Sequence, residues 1–582
     1  MILRNVALFV INLLFDWVIK DGYVFSHLMK TLFLTLVAFF AAFLCSARTA
    51  NCQFPDIVPC PQNLEVASGI FCAKGAQVVT DEDLDNLSLS YIKDFAEHLA
   101  KVSNGTTSRS KIVFSKDKSL SAEQYTLKIN SKNVLIKASG LNGFVYAVQT
   151  LKQMMPVEVY GNVPAPNANW NIPCCTINDS PRFKYRGMLL DVARHFFTVE
   201  QVKKFIDMME ILKMNVFHWH LTDDQGWRIE IKRYPELTNV GSRRRETLVG
   251  HHHTSNTYDG QPYGEGMWYT QDQIRDVVRY AASKGIKVIP EIDLPGHMMG
   301  AIATYPSLGC TGGPYEVLCK WGISDDVLCA GKQESYAFLE NVLEEVCELF
   351  PSEYIHIGGD ECPKVRWEKC PACQAKIAEL GLKGDDLHSA EHYLQSHIMR
   401  HMSEFLATKG KKIVGWEEML QGELPPGSTV MAWRRNKYAH QAARLGHDAI
   451  ISTRTFLYLD RYQSKDKDNE PLAHSSYLPV DLVWSCDPFV SEEENAQPLT
   501  ENQKSHILGV QANVWTEYIP NNTHMEYMVH PRMAAVSEVQ WCHPENKDWG
   551  RFLRALDKMK ERYDIMGYNY ARHIWNKGNG LK

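Results

Sequence analysis

Eight short apolar runs follow one another from residue 182 onward, and segments with helical spacing separate them. Within each run the apolar residues are nearly continuous, which is typical of parallel strands buried on both faces. "TVEQVKKFIDMMEILKM" lies between the first two runs and has helical spacing. Thr198 with Gln201 predicts a capping box at its start, and Thr270 with Gln273 repeats this device before a later helix. The eight runs are KYRGMLLDVAR, NVFHWHLTDD, GIKVIPEIDLPGH, YIHIGGDE, KIVGWEEM, TVMAWR, DAIISTRTFLYLD and ILGVQANVWTE.

Eight strand and helix units over roughly 380 residues predict an α/β fold, a (β/α)8 TIM barrel. The pattern before it is different: QYTLKIN and NVLIKAS alternate like strands, and GLNGFVYAVQTLKQMM is spaced like a helix. We therefore predict a small α/β domain, a sheet with helices, over residues 51–180. The Pro- and Asn-rich segment VPAPNANWNIP is the predicted linker that closes it, and the barrel domain takes residues 181–582.

Residues 1–50 have the pattern of an upstream extension and a signal peptide. "MKTLFLTLVAFFAAFLCSA" starts at Met29 with a lysine, continues as an apolar stretch and ends in small residues near Ala47. Residues 1–28 contain a further apolar stretch, which Asp16 interrupts. We predict export to a periplasmic, secreted or cell-surface location. The alternatives are an N-terminal membrane anchor, which would be the chain's one contact with a membrane, and lipidation at Cys45.

Composition and charge narrow the class of partner. With 582 residues, of which 45% are hydrophobic and 22% charged, the chain is typical of a globular protein with a sizeable core. Its formal net charge is −6 and it has no long run of Lys or Arg, which argues against nucleic acid as a partner. The 14 Trp are a generous number and favour exposed aromatic platforms.

Cysteines are numerous, and export would permit disulfides. The chain has 15, and Cys45 would leave with a signal peptide. Cys362, Cys370 and Cys373 resemble half of a zinc site, but a paired-knuckle signature needs a second spaced pair, and none is evident. We therefore predict disulfides or free core thiols at these positions, with no metal and no cofactor.

Polar side chains close each of the eight apolar runs. Because the active site of a TIM barrel lies at the C-terminal ends of its strands, these residues should meet at one mouth. They are Arg194, Asp223 with Asp224, Asp293 with His297, Asp360 with Glu361, Trp416 with Glu417, Trp433, Tyr458 with Asp460, and Trp515 with Glu517.

Carboxylates beside aromatic walls favour a sugar as ligand, since its C–H face stacks on indole and its hydroxyls bind charged groups. The sequence has neither a G-x-S-x-G elbow nor a phosphate loop of the usual spacing. Adjacent side chains such as Asp360 and Glu361 project in different directions, so the two should serve different atoms of one substrate. Glycoside hydrolysis is the leading candidate. If Glu361 protonates the leaving oxygen, Asp360 could hold another group of the same sugar, for instance the N–H of a 2-acetamido substituent whose carbonyl oxygen attacks the anomeric carbon.

HIGGDE after an apolar strand resembles the signature of the family-20 glycoside hydrolases, the β-N-acetylhexosaminidases. The similarity extends over most of the chain and is greatest to bacterial members. DVARHF, HWHLTDDQ, EIDLPGH, GWEEM, MAWR, YLD and NVWTEY match further family motifs. The resemblance implies an exo-acting, retaining enzyme that removes terminal non-reducing N-acetylglucosamine or N-acetylgalactosamine from glycans. Catalysis would be substrate-assisted, through an oxazolinium intermediate.

The same resemblance implies a role for each site residue. Glu361 would be the general acid and then the base, Asp360 would stay ionised and orient the acetamido group, and Tyr458 would contact its carbonyl oxygen. A partly apolar setting and the charge of Asp360 should raise the pKa of Glu361. The implied substrate-binding residues are Arg194, Asp223, His297, Trp416, Trp433, Asp460, Trp515 and Glu517, with Asp293 and His356 supporting the catalytic pair from behind.

Three other functions match parts of this pattern. His218 and His220 form an H-x-H on one strand, as in metal-dependent barrel hydrolases, although later strand ends offer Trp, Tyr and Asp in place of further His ligands. A carbohydrate-binding protein that has lost catalysis would keep the aromatic mouth, but the presence of Glu361 argues against that loss. A hexosaminidase that prefers an extended disaccharide unit is the third alternative.

Several properties stay open at this point. These are the physiological glycan, the preference between gluco and galacto configuration, the pairing of cysteines, and the oligomeric state, monomer or homodimer. We predict that segments 241–270 and 305–331 set the selectivity.

Overall fold

The computed structural model describes residues 56–105 and 109–575. The segment 1–50, for which we predict a signal peptide or an anchor, lies outside the described residues. Within the described ranges, no helix combines the length and the apolar character that crossing a membrane requires.

A six-stranded mixed sheet with two helices precedes the barrel. Helix Leu141–Met154 packs on the sheet and against helix Asn86–Ser103, and it buries Phe144, Val148 and Leu151. In their order across the sheet, the strands are Asn63–Cys72, Asn171–Asp179, Tyr125–Ile129, Asn133–Ala138, Lys111–Lys116 and Gln77–Thr80.

The prediction of a linker before the barrel is wrong for the C-terminal end of that segment. Its last three residues begin the strand Asn171–Asp179, which pairs with a neighbour on each side within the sheet. Trp170, just before that strand, is buried, and its indole N–H donates to the carbonyl of Ala165 at 3.0 Å. The Pro and Asn residues that indicated a linker therefore form the turn that leads into this strand.

Eight parallel strands close into a barrel in chain order, which confirms the predicted TIM barrel. The eighth strand pairs with the first, with Gly509 beside Tyr185, so the barrel has no open edge. The strands are Tyr185–Asp191, Val216–His220, Lys287–Glu291, Tyr354–His356, Lys412–Trp416, Thr429–Ala432, Asp448–Ile451 and Ile507–Val514.

Helices connect most of the barrel strands, and two of them begin with the predicted capping boxes. Thr198 pairs with Gln201, and Thr270 with Gln273, each through both reciprocal hydrogen bonds. The connection between the fifth and sixth strands departs from the alternation, because it forms the 3-10 helix Glu417–Gln421 in place of an α-helix. The longer helices of the barrel domain are Val199–Ile211, Gln271–Ser283, Gln333–Leu349, Pro371–Leu380, Ala390–Thr408, Asn436–Arg444, Asn522–Val529, Arg532–Trp541 and Trp549–Met566, and the shorter ones are Glu236–Asn239, Met299–Thr304, Val480–Trp484 and Glu501–Ser505.

Side chains from the strands fill the barrel interior, so the barrel is a packed core rather than a pore. Leu189, Ile289, Met431 and Ile450 meet in one buried cluster. Trp416 belongs to the same cluster and closes it towards the C-terminal mouth. The space available for a ligand therefore lies above this tryptophan.

Candidate active site

The polar residues that end the barrel strands converge on one cavity of about 260 Å³, except Asp224 and Glu417, which do not line it. This volume lies just below the range of roughly 300–1,000 Å³ that is usual for drug-sized ligands, which suits a single sugar ring. His356 lies beneath the cavity, with its ring centroid 4.8 Å from that of Trp416. The cavity is lined by every residue that we predict to be catalytic or substrate-binding, and by Asp293: Arg194, Asp223, Asp293, His297, Asp360, Glu361, Trp416, Trp433, Tyr458, Asp460, Trp515 and Glu517.

Two glycines place the acidic pair after the fourth strand. A Cβ atom on Gly358 would lie 1.6 Å from Asp293 Oδ1, so only glycine leaves room for that carboxylate. The amide of Gly359, whose φ is 102°, donates to the same oxygen at 3.2 Å. Glu361 has a φ of 44°, a left-handed conformation that non-glycine residues seldom adopt. The turn is thus built around Asp293, and it brings Asp360 and Glu361 to the cavity.

His297 joins the acidic pair to the end of the second strand. Its Nε2 atom lies 3.8 Å from Asp360 Oδ2 and 3.6 Å from Glu361 Oε2. Its Nδ1 atom lies 3.2 Å from an oxygen of Asp223 and 3.2 Å from one of Asp224. Burial works against the charged form, but these two aspartates outweigh burial and raise the pKa of His297 well above its usual value. An imidazolium therefore lies between two pairs of carboxyl groups.

The structure reverses the predicted order of pKa values in the acidic pair. Asp360 has 15% of its side chain exposed, and burial is the main reason that its pKa rises to about 7. Burial also works to raise the pKa of Glu361, but the positive charge of His297, whose Nε2 atom is 3.6 Å away, outweighs burial and lowers this pKa. The prediction of a raised pKa for Glu361 beside an ionised Asp360 is therefore wrong for the free protein, because it left out the charge on His297.

Arg194 is held in place by three partners. Its guanidinium lies 3.1 Å from Asp191, 2.9 Å from Asp223 and 2.9 Å from Gln225. Glu517 is 4.0 Å away. Both carboxylate oxygens of Asp223 are occupied by protein groups. We therefore expect Asp223 to position Arg194 rather than to contact a ligand directly.

Asp460 and Glu517 present carboxyl groups to the same part of the cavity as Arg194. Burial is the main cause that raises the pKa of Asp460 to about 6 and that of Glu517 to about 7. The charge of Arg461 is the main opposing influence at Asp460, and the charge of Arg194 is the main one at Glu517. Within residues 56–105 and 109–575, the buried Oδ1 atoms of Asp460 and Asp360 have no hydrogen-bond partner. Such oxygens are suited to accept hydrogen bonds from the hydroxyl or amide groups of a ligand.

Four aromatic side chains form the apolar walls of the cavity. The ring centroids of Trp433 and Tyr458 lie 6.4 Å apart with nearly parallel planes, and those of Tyr458 and Trp515 lie 6.3 Å apart. Trp416 continues this surface, 5.9 Å from Trp515. A pyranose that has one apolar face and polar edges fits between such walls and the carboxyl groups described above.

Glu291, at the end of the third strand, is a buried carboxylate that we did not predict. Its oxygens lie 2.5 Å from His220 Nδ1, 3.1 Å from His218 Nε2 and 2.8 Å from His356 Nδ1, and the indole of Trp416 donates to it at 2.8 Å. At these distances the carboxylate contacts all three histidine rings directly. The H-x-H pair therefore supports the floor of the cavity. The available signal was a charged residue inside an apolar run.

Two loops complete the cavity. Trp321, Gly322 and Ile323 come from segment 305–331, and His252 comes from segment 241–270. The structure thus places both of the predicted selectivity segments at the cavity, while their effect on selectivity stays a prediction. Arg454, Arg461 and His474 also line the cavity, and no motif pointed to them, because their position depends on the packing of loops. Tyr518, the last residue of NVWTEY, lines it as well, although we predicted no role for it.

Family models match both parts of the chain. One described as glycosyl hydrolase family 20, catalytic domain, covers residues 183–544, and one described as glycosyl hydrolase family 20, domain 2, covers residues 54–180. The first range includes every residue that lines the cavity.

Individual relatives are similar over most of the chain. A beta-hexosaminidase of Porphyromonas gingivalis is 42% identical over 454 residues, which are 78% of this chain and 55% of the relative, so the chain spans about half of that protein's length. A beta-hexosaminidase of Vibrio furnissii is 36% identical over 83% of this chain and 76% of the relative. The crystal structure of a GH20 exo beta-N-acetylglucosaminidase from Vibrio harveyi with N-acetylglucosamine has a TM-score of 0.76 and 34% identity, over 89% of this chain and 78% of that one.

Proposed function

The chain belongs to glycosyl hydrolase family 20, and from this premise we propose that it is an exo-acting β-N-acetylhexosaminidase. It would remove a terminal non-reducing N-acetylglucosamine or N-acetylgalactosamine from a glycan. The observation that carries the proposal is the acidic pair, Asp360 and Glu361, which meets at His297 on the wall of a cavity for one sugar. The similarity to beta-hexosaminidases and to an exo beta-N-acetylglucosaminidase supports it.

In the first half of the proposed reaction, the substrate supplies its own nucleophile. Asp360 accepts the N–H of the 2-acetamido group, and the carbonyl oxygen of that group, held by Tyr458, attacks the anomeric carbon. Glu361 gives its proton to the glycosidic oxygen as the bond to the leaving sugar breaks. The positive charge of the oxazolinium ring develops beside the carboxylate of Asp360, where the buried setting strengthens the attraction.

In the second half, Glu361 acts as a base. It removes a proton from a water molecule that attacks the anomeric carbon from the side the leaving group has vacated, and the oxazolinium ring reopens to the acetamido group. Two successive inversions give a product that retains the β configuration. Glu361 gives a proton to the leaving sugar in the first half and takes one from water in the second, so it returns to its initial protonation state.

Exo-action is supported by the groups around Arg194. Asp191, Asp223 and Gln225 hold its guanidinium, and Glu517 faces it. Charged groups at this end of the cavity match the hydroxyls of a terminal sugar and would leave no room for a preceding one. Export and a periplasmic, secreted or cell-surface location are part of the proposal on the strength of the N-terminal sequence pattern alone.

Turnover of an aryl β-glycoside of N-acetylglucosamine, compared with that of the matching aryl β-glucoside, tests the proposed reaction. We expect the acetamido sugar to be hydrolysed and the glucoside to be inert, because the glucoside lacks the nucleophile. Equal turnover of the two would contradict substrate assistance. Binding of N-acetylglucosamine without turnover of either glycoside would favour a carbohydrate-binding protein instead.

The pH dependence of kcat/KM should have a basic limb near pH 7. The proposed reaction needs one proton on the acidic pair, and in the free protein that proton lies on Asp360, whose pKa burial raises to about 7. Above this pH the pair holds no proton that can pass to Glu361 when the sugar binds. We therefore expect kcat/KM to fall about tenfold per pH unit above about pH 7.

Two variants identify the group that sets this limb. In Asp360→Asn the proton has to reside on Glu361, whose pKa is lowered, so the limb of the residual activity should move below pH 7. Glu517→Gln removes another carboxyl group with a pKa of about 7 and should leave the limb in place. A limb that moves in Glu517→Gln and not in Asp360→Asn would contradict the assignment to the pair.

A further inference from the structure

Four cysteines outside the cavity bring their sulfur atoms together. The Sγ atoms of Cys310, Cys329, Cys370 and Cys373 all lie within 4.8 Å of one another. All four are free cysteines, and only Cys310 is partly exposed. Cys310 and Cys329 come from the segment that follows the third strand, and Cys370 and Cys373 come from the start of helix Pro371–Leu380, after the fourth strand.

The separations match the edges of a tetrahedron. Zinc with four thiolates has Zn–S bonds of about 2.3 Å, which places neighbouring sulfurs about 3.8 Å apart. The separation is 3.9 Å between Cys310 and Cys373, 3.7 Å between Cys329 and Cys370, and 3.6 Å between Cys329 and Cys373. Disulfides would join the sulfurs two by two, whereas Cys329 is nearly equidistant from two partners, as ligands around one centre are.

We infer that these four thiolates form a closed structural site for one zinc ion. A set of four sulfur ligands selects a thiophilic metal and leaves no open position for water or substrate, so the site would not take part in the hydrolysis. Binding releases the thiol protons to solvent and changes no oxidation state.

The surroundings of the sulfurs suit a negatively charged thiolate cluster. Cys370 is the N-cap residue of helix Pro371–Leu380, so the positive end of the helix dipole faces the site. A Cβ atom on Gly331 would lie 2.2 Å from the carbonyl carbon of Ala372, so a glycine is needed for the two loops to approach this closely.

The ion would fasten together the two loops that carry the candidate catalytic residues. The amide of Leu328, next to Cys329, donates to the carbonyl of Pro295 at 3.0 Å, two residues before His297. The indole of Trp367 donates to the carbonyl of Leu328 at 2.9 Å, so the second loop is tied to the same point. The zinc site would therefore fix the position of one loop against the other.

Metal content of the purified full-length chain tests the inference without reference to hydrolysis. After dialysis against metal-free buffer, inductively coupled plasma mass spectrometry should find about one zinc per chain. Chains prepared with Co²⁺ in place of zinc should have the visible absorption of tetrahedral cobalt thiolate. Cys329→Ser and Cys373→Ser should each lose the metal and this absorption. Cys347→Ser, which alters a cysteine outside the cluster, should retain both.

Two results would overturn the inference. One is a wild-type chain that holds no zinc and gives no cobalt thiolate absorption, a measurement that stays decisive even if the serine variants fail to fold. The other is peptide mapping without reduction that finds disulfides linking Cys310, Cys329, Cys370 and Cys373. That second result would support the disulfides that the sequence predicts for this region.

Discussion

Glu361→Gln is expected to lower kcat/KM for a disaccharide with a terminal β-N-acetylglucosamine by about 10³-fold, or about 4 kcal/mol of transition-state stabilisation. Glutamine keeps the shape of the side chain at a position with a φ of 44° but has no proton to give to the leaving oxygen. An alkoxide leaving group depends on that proton, since its conjugate acid is very weak. Steady-state hydrolysis of the disaccharide by wild type and variant measures the loss.

The leaving group distinguishes loss of the acid from general damage to the site. A dinitrophenyl glycoside departs as a stable phenolate, so its kcat/KM should fall much less than that of the disaccharide in Glu361→Gln. Its kcat should still fall, because the second half of the reaction lacks its base. Equal losses of kcat/KM for both substrates would contradict the assignment of Glu361 as the acid.

Glu353→Gln is a matched control at the other end of the same strand. Glu353 lies just before Tyr354–His356, on the face of the barrel that faces away from the mouth, and its partner Lys287 is 3.1 Å away. Its side chain is half exposed, so this ion pair contributes little to stability. We expect wild-type kinetics on both substrates.

Strand positions and strand-end residues were predictable from the sequence because both follow local rules. The continuous apolar residues of a run such as GIKVIPEIDLPGH indicate a buried strand. In a closed parallel barrel, the C-terminal ends of all eight strands lie on the same side. The residues that line the cavity could therefore be predicted from their positions at the ends of these runs. The motif resemblance then supplied a role for each of them.

The features that could not be predicted from the sequence depend on distances between segments that lie far apart along the chain. The pKa order of Asp360 and Glu361 is set by His297, whose own charge depends on Asp223 and Asp224 at the end of another strand. Ion-pair contacts of this kind are fixed by tertiary packing, and no rule of sequence spacing predicts them.

The cysteine cluster was missed for the same reason. Cys370 and Cys373 have the spacing of half a zinc site, but their partners Cys310 and Cys329 lie far apart from each other on a different loop. Cys362, which the sequence placed with the pair, packs beside Gly296 and does not belong to the cluster. Only the folded arrangement of the two loops joins the four sulfurs.

Asp360→Asn is expected to lower kcat by about 10²-fold to 10³-fold while the affinity for N-acetylglucosamine changes little. Asparagine keeps the size of the side chain and an oxygen that accepts the acetamido N–H. It removes the negative charge that stabilises the oxazolinium ring. In a buried position with 15% of the side chain exposed, loss of that charge weakens the transition state far more than the ground state.

Aryl glycosides with zero to three fluorine atoms on the N-acetyl group show whether Asp360 acts on the nucleophile. Fluorine withdraws electrons from the carbonyl oxygen, so wild-type kcat/KM should fall steeply along the series. Asp460→Asn alters another buried carboxyl group with an unpartnered oxygen, and we expect it to raise KM and leave that dependence on fluorine unchanged. In Asp360→Asn the dependence should change, since the charge that balances the developing ring is gone. A wild-type rate that is indifferent to fluorine would mean that the acetamido oxygen does not attack, and the role of Asp360 would have to be abandoned.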